Sequence, residues 1–166
     1  MATSLSFLKS IITRPKKIIN TIPSVIFASK MTTPAHTLSK SINRSASYVY
    51  GFIANPANLP QWAPGLCLSI QKTNKENTWL AQTANGPVSI RFAEQNKFGI
   101  IDHHVTLATG QEVYVPLRVI ANNEGSEVIF TVFRLPGMND EQFKNDVAAV
   151  QKDLDALKLL LEQTKK

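Results

Sequence analysis

The longest regular pattern in the chain is a stripe of apolar side chains near its C-terminus. They recur every three or four residues over about five helical turns, as in an amphipathic helix. The stripe consists of Phe143, Val147, Val150, Leu154, Leu157 and Leu161. Asn139 can cap this helix, and Gln142 follows three residues later in a capping-box arrangement. The pattern therefore predicts one long amphipathic helix after the turn at Pro136-Gly137.

Upstream of this helix, short apolar runs alternate with turn residues such as Asn85-Gly86 and Thr109-Gly110. No helical pattern interrupts the runs after Leu66, so they predict an antiparallel meander. The seven predicted strands are Thr37–Arg44, Leu66–Lys72, Thr78–Thr83, Val88–Ala93, Gly99–Leu107, Glu112–Ile120 and Val128–Leu135.

Two short helices are predicted between the first and second strands, Ala46–Ala54 and Ala57–Trp62. Ser45 or Ser47 can cap the first helix, and Asn55-Pro56 ends it because the residue before a proline avoids the helical region. The predicted fold class is α+β, since a sheet of seven strands needs a cover and the long helix supplies an apolar face. Alternatively, such an apolar face can pack against a partner helix in a coiled coil.

Composition adds limits to this picture. The chain has 166 residues, of which 43% are hydrophobic and 18% are charged, as in an ordinary soluble protein with one sizeable domain. Cys67 is the only cysteine, so no internal disulfide can form. The net charge of +6 comes from the front of the chain, because all twelve acidic residues follow position 75. No basic cluster is interleaved with aromatic residues, so we expect no nucleic-acid partner.

Residues 1–34 form a basic extension that we predict to be poorly ordered or to direct targeting, with the domain at residues 35–166. The extension is free of acids and rich in hydroxyl groups, which is typical of an organelle transit peptide. Translation from Met31 is the other interpretation, and it predicts a cytoplasmic protein. Lysines and prolines break each apolar run well before the roughly 18 residues of a membrane span. The loose apolar stripe of residues 1–30 predicts at most weak contact with a membrane surface.

Residues near the two short helices resemble a known superfamily. Asn55-Pro56 followed by Leu59-Pro60-Gln61-Trp62 is similar to the opening of the START-like, polyketide-cyclase-type (SRPBCC) superfamily. Phe98–His104, Val115–Arg118 and Phe133–Met138 resemble an uncharacterised branch of it. The resemblance implies a helix-grip fold, in which a curved seven-stranded antiparallel sheet grips a long C-terminal helix beside two short ones.

The implied fold leaves a mostly apolar cavity between sheet and helix. The resemblance therefore implies a binding or carrier domain for a hydrophobic or aromatic small molecule. A cofactor-independent enzyme of the polyketide cyclase or dehydratase type is the alternative, and the sequence leaves enzyme activity open. Neither cofactor nor metal is expected, and the oligomeric state is left open. The candidate ligand-binding residues are Trp62, Arg91, His103, Tyr114, Phe130, Arg134, Met138, Phe143 and Val147.

The candidate catalytic residues are Asp102, His103 and Arg118. Histidine has a pKa suited to acid–base chemistry, and an arginine can bind a carboxylate or enolate. A metal site is disfavoured because His103 and His104 are neighbours in a strand and point to opposite faces. The competing interpretation is a surface ion-pair group. Pairing the apolar faces of the two strands requires a bulge at Gly110, which predicts His103 inward and Asp102 and His104 outward.

Overall fold

The computed structural model describes residues 32–163. The predictions for residues 1–30, a targeting role and contact with a membrane surface, lie outside the described residues. The strands are β1 (Ala35–Ile42), β2 (Ser69–Lys72), β3 (Thr78–Thr83), β4 (Gly86–Phe92), β5 (His103–Thr106), β6 (Glu112–Val115), β7 (Leu117–Asn122) and β8 (Gly125–Phe133). The helices are α1 (Ala46–Ile53), α2 (Leu59–Trp62) and α3 (Asp140–Gln163), with a 3-10 turn at Pro56–Asn58.

The strands pair antiparallel in two sheets, with orders β2-β3-β4-β5-β6 and β1-β8-β7. The α+β class is thereby confirmed, but the prediction of seven strands was wrong. The predicted strand Glu112–Ile120 is divided at Pro116 into β6 and β7. Proline has no N–H to donate to a ladder, so the regular pairing stops at that residue.

The two sheets remain joined across the division at Pro116. Ile101 N donates to the carbonyl of Leu117 at 2.8 Å, and Val119 N donates to that of Gly99 at 2.9 Å. These pairs continue the register of β5 and β6, in which His103 lies opposite Val115. The register is the one that a bulge at Gly110 was expected to give, and Gly110 has the positive φ of 84° that such a turn requires.

Two of the helices, α1 and α3, begin as their sequences predict, whereas α2 begins at Leu59 because Pro56–Asn58 form a 3-10 turn. The Ser45 hydroxyl accepts from Tyr48 N at 3.4 Å and caps α1. At the start of α3, Gln142 N donates to Asn139 Oδ1 at 2.8 Å, and Asn139 N donates to Gln142 Oε1 at 2.9 Å. These two reciprocal bonds form the predicted capping box.

The long helix packs unevenly along its length. Leu154, Leu157 and Leu161 in its second half are fully buried against the sheet. Each such leucine contributes roughly 1.5–3 kcal/mol of burial. Phe143 and Val147 in the first half remain partly exposed, so the predicted stripe is a packing face only from Leu154 onward. The first half of α3 therefore stands over the sheet without filling the space beneath it. None of the helices among residues 32–163 is long and apolar enough to cross a membrane.

Candidate ligand cavity

A cavity of about 290 Å³ lies between the first half of α3, strands β5 and β6, and the end of β8. This volume is near the lower end of the range for small-molecule sites, roughly 300–1,000 Å³. The lining side chains are mostly apolar. They belong to Gly65, Leu66, His103, Val105, Leu107, Val113, Tyr114, Val115, Phe130, Thr131, Val132, Phe133, Leu135, Asp146, Ala149, Val150 and Asp153.

The division at Pro116 opens one side of this cavity. Leu117 pairs with Phe130, and the same register would place Tyr114 opposite Phe133. Among the described residues, the last backbone bond at this seam is from Thr131 N to the Pro116 carbonyl, at 3.0 Å. Beyond it, the Tyr114 and Phe133 rings stack with centroids 6.4 Å apart instead of following a hydrogen-bonded ladder. Stacked rings separate more readily than strands joined by backbone hydrogen bonds. This side of the cavity can therefore open more readily.

The apolar wall follows from the two-residue repeat of the strands. Val105 on β5 lies opposite Val113 on β6, so their side chains share the inward face. Phe130 and Val132 alternate on β8 in the same way. Since neither the wall nor the first half of α3 fills the space between them, apolar surface is left facing a cavity.

His103 is the buried polar side chain in this wall, with 8% of its surface exposed. Its Nδ1 lies 3.1 Å from the carbonyl oxygen of Ile101. A carbonyl can only accept, so Nδ1 carries the proton and Nε2 keeps its lone pair. The ring also contacts Phe92, with centroids 5.0 Å apart. Burial lowers the pKa of His103, so the imidazole is neutral near pH 7.

Asp146 and Asp153 are the functional candidates that the sequence analysis missed. They lie on the cavity face of α3, with Ala149 and Val150 between them. Within residues 32–163, no group donates a hydrogen bond to either carboxylate. Burial raises the pKa of Asp153 to about 6 and also raises that of Asp146. Their seven-residue spacing was the available signal, because it places both on one helix face with Val150.

Asp102 serves the fold outside the cavity lining. Its Oδ1 accepts from Leu117 N and from Arg118 Nε, both at 3.1 Å. Its Oδ2 accepts from Tyr114 Oη at 2.5 Å and from Arg118 Nη2 at 2.6 Å. Burial opposes ionisation, but the hydrogen bonds from Arg118, Tyr114 and Leu117 N outweigh it and lower the pKa of Asp102. The carboxylate thus supplies the acceptor for a backbone N–H beside Pro116.

The other two arginines among the candidates are also paired. Arg91 Nη2 lies 3.3 Å from Glu112 Oε1 on the exposed face of the sheet. His104 lies 3.5 Å from the other oxygen of Glu112. Arg134 donates to the Met138 carbonyl at 2.9 Å and to Asp140 at 2.6 Å. Arg91 and Arg134 are therefore paired with other groups on the protein surface.

Three of the nine candidate ligand-binding residues line the cavity: His103, Tyr114 and Phe130. Six lie outside its lining: Trp62, Arg91, Arg134, Met138, Phe143 and Val147. Trp62, the last residue of α2, is buried in the core, and its Nε1 has no partner among residues 32–163. Of the three catalytic candidates, only His103 faces the cavity. In the described part of the chain, no three His, Cys, Asp or Glu side chains are grouped so that they could hold a metal ion.

The raised pKa of Asp153 predicts a pH-dependent effect on stability. In the folded protein its carboxyl keeps its proton up to about pH 6, whereas in the unfolded chain it ionises near the ordinary aspartate pKa of 3.8. The folded state therefore binds more protons between these values, and stability falls as pH rises through this window. We expect Asp153→Asn to match the unmodified protein below pH 4 and to be about 1 kcal/mol more stable at pH 7, after allowance for solvent screening. Urea unfolding at several pH values measures this. A constant difference across the pH range would contradict it.

Comparison with known proteins adds evidence on the fold. No family model matches the sequence, and no curated protein matches it. A START superfamily protein from Mycobacterium smegmatis superposes with a TM-score of 0.62 at 11% identity, over 79% of this chain and 99% of that one. Ara h 8.0201 gives 0.58 at 16% identity, over 76% and 97%. The di-domain ARO/CYC protein BexL from the BE-7585A biosynthetic pathway gives 0.60 at 18% identity, over 78% and 46%.

Each of the three matches covers between 76% and 79% of this chain. Two of the three solved structures match over nearly their whole length, so the likeness extends to the complete arrangement of elements. At sequence identities this low, structural similarity indicates a shared fold but not a shared activity. The chain therefore has a START-like fold, as the resemblance at Asn55–Trp62 implied.

Proposed function

We propose that the chain binds a hydrophobic or aromatic small molecule in the cavity between α3 and strands β5, β6 and β8. The observation that carries this proposal is an apolar wall left unfilled beneath the first half of α3. Val105, Val115, Phe130 and Val132 face that space. Removing apolar surface from water is worth about 25 cal/mol per Å², so a ligand that covers this wall gains affinity from it.

The alternative is a cofactor-independent enzyme of the cyclase or dehydratase type. The observation that favours it is His103, whose unprotonated Nε2 belongs to a neutral imidazole in the cavity wall. Such a nitrogen can act as a general base. BexL, one of the structurally similar proteins, is named as an ARO/CYC protein. Asp102 and Arg118 pair with each other outside the lining, so His103 would act without them. Turnover of a poly-β-ketone mimic that His103→Gln abolishes would favour the enzyme over the carrier.

Filling the cavity tests the binding proposal. Ala149 lies on the cavity face of α3, and the space beyond it is open, so Ala149→Trp can place an indole in the cavity without displacing the core. We expect this variant to bind the neutral probe N-phenyl-1-naphthylamine at least tenfold more weakly than the unmodified protein, because the indole occupies the ligand's volume. Fluorescence titration measures the affinity.

Ala148→Trp is the matched control for this experiment. Ala148 is the neighbouring residue of the same helix, is exposed, and does not line the cavity. We expect its probe affinity to equal that of the unmodified protein. Equal affinity in all three proteins would place the probe elsewhere, and no binding by the unmodified protein would contradict the proposal outright.

A further inference from the structure

We propose that the ligand is a cationic amphiphile, whose protonated nitrogen is held by Asp153 while its apolar body lies against β5, β6 and β8. This inference rests on the proposed function, because it specifies the ligand class of the same cavity. It is carried by the arrangement of the unpaired polar atoms that line the cavity.

The two carboxylates form a regular feature of one helix face. Asp146 and Asp153 are seven residues apart, which is two turns or about 10 Å along an α-helix. Ala149 and Val150 occupy the turn between them and line the same cavity. This helix face therefore carries two acidic groups separated by apolar residues. It lies opposite the valine and phenylalanine side chains of the sheet. A molecule with a flat apolar body and a charged end can satisfy both surfaces.

Within residues 32–163, no lysine or arginine forms an ion pair with Asp146 or Asp153. No lysine or arginine is among the residues that line the cavity. Three cations of the surrounding elements have other acidic partners. Arg118 pairs with Asp102, Arg134 with Asp140, and Lys40 with Asp155. Asp153 is partly buried. A partly buried carboxylate without a partner is costly, and a cation that arrives with the ligand would offset that cost.

Hydrogen-bonding capacity points to the same class of ligand. The Tyr114 hydroxyl donates to Asp102, and the Thr131 hydroxyl is bonded to that of Thr37 at 3.0 Å. The polar side-chain atoms left unpaired in the lining are His103 Nε2 and the carboxylate oxygens. At neutral pH all of them accept hydrogen bonds and none donates. An ammonium group, with up to three N–H donors, complements such a site, whereas an anionic ligand would meet only acceptors.

The titratable groups facing the cavity set the sign of the pH dependence. Asp153 has a pKa of about 6, so its negative charge is absent at pH 5 and present at pH 8. Burial also raises the pKa of Asp146. Burial lowers the pKa of His103 and so favours its neutral form, and Tyr114 stays protonated because its bond to Asp102 raises its pKa. The ionised fraction of Asp153, which is the form that can bind a cation, thus rises about tenfold from pH 5 to pH 8. The affinity for a cation should rise with it.

Three probes with one naphthalene ring and different polar ends test the inference: naphthylmethylamine, naphthylmethanol and naphthoate. We expect the amine to bind the full-length protein more tightly than the alcohol at pH 8, and to weaken about tenfold at pH 5. Asp153→Asn should weaken amine binding at pH 8 by about tenfold and leave alcohol binding within twofold. Glu141→Gln is the control, since it removes an equal charge from an exposed site on the same helix outside the cavity lining. Calorimetric titration gives each affinity.

Each outcome of this experiment bears on one of the two proposals. Equal binding of amine and alcohol, without pH dependence, overturns the cationic ligand and leaves the hydrophobic cavity supported. Tightest binding by naphthoate overturns it as well. Equal loss of amine affinity in Asp153→Asn and Glu141→Gln would assign the effect to the overall charge of the helix and overturn the site. Failure of all three probes to bind contradicts the proposed function itself.

Discussion

The Leu157→Ala variant is expected to unfold with a free energy about 3 kcal/mol lower than that of the unmodified protein. Leu157 is fully buried, with 0% of its surface exposed, in the half of α3 that packs on the sheet. The substitution removes buried methyl groups and leaves a void, because the neighbouring Leu154 and Leu161 are themselves fully buried and cannot close it without moving the helix. Urea unfolding followed by the fluorescence of Trp62 and Trp79 measures the change.

Leu159→Ala is the matched control, because Leu159 lies two residues further along the same helix with 58% of its surface exposed. The chemical change is identical, and the helix propensity changes equally. We expect its unfolding free energy to stay within about 0.5 kcal/mol of the unmodified value. Similar losses in both variants would mean that the second half of α3 does not pack on the sheet as described.

Gly99→Ala is expected to cost at least about 3 kcal/mol in the free energy of unfolding, from backbone strain together with steric overlap. Gly99 has a φ of 71°, where a side chain is unfavourable, and an added Cβ would lie 2.0 Å from the carbonyl oxygen of Val119. That carbonyl belongs to β7, so it cannot move aside without disturbing the sheet. The strained contact lies next to Ile101 and His103, which hold one wall of the cavity. Thermal unfolding followed by circular dichroism reports the loss.

Gly110→Ala separates the two causes. Gly110 also has a positive φ, of 84°, but nothing lies within 4 Å of an added Cβ. It should therefore cost only the conformational penalty, roughly 1–2 kcal/mol. If Gly99→Ala were no more harmful than Gly110→Ala, the close approach of Gly99 to β7 would be wrong, and with it the joining of the two sheets beside Pro116.

The elements that the sequence predicted well are those with local signals. The capping box at Asn139 and Gln142, the cap at Ser45 and the turn at Gly110 each depend on a few adjacent residues. The inward orientation of His103 followed from pairing apolar faces, which is a short-range argument across one hairpin. The resemblance at Asn55–Trp62 supplied the fold, because the arrangement of a sheet around a helix cannot be derived from such local signals alone.

The features that the sequence did not predict depend on tertiary geometry. The apolar stripe of α3 is regular from Phe143 to Leu161, but whether a helix face meets a wall or an opening depends on the curvature of the sheet. Asp146 and Asp153 lie off that stripe, although their own spacing places them on one face of the helix. The partners of Arg91 and Arg134 depend on strand register and on the turn before α3, so their surface pairing could not be seen in the sequence.

Pro116 illustrates the same limit at a single residue. A proline within an apolar run can be accommodated at the edge of a sheet, and the run Glu112–Ile120 was interpreted as one strand. Here the strand lies inside the pairing, so the missing N–H divides it and releases the end of β8 from β6. The seam opened in this way borders the cavity, and the stacked rings of Tyr114 and Phe133 mark it.

Methyl NMR of the valine side chains during titration with neutral naphthylmethanol tests whether a hydrophobic small molecule occupies the cavity under the first half of α3. We expect shifts and contacts to the ligand at Val105, Val113, Val115, Val132 and Val150, which line the cavity. Val49 and Val128, fully buried in the core outside that lining, should be unaffected. Shifts confined to the core valines, or no shift at any valine at saturating probe, would contradict binding in this cavity.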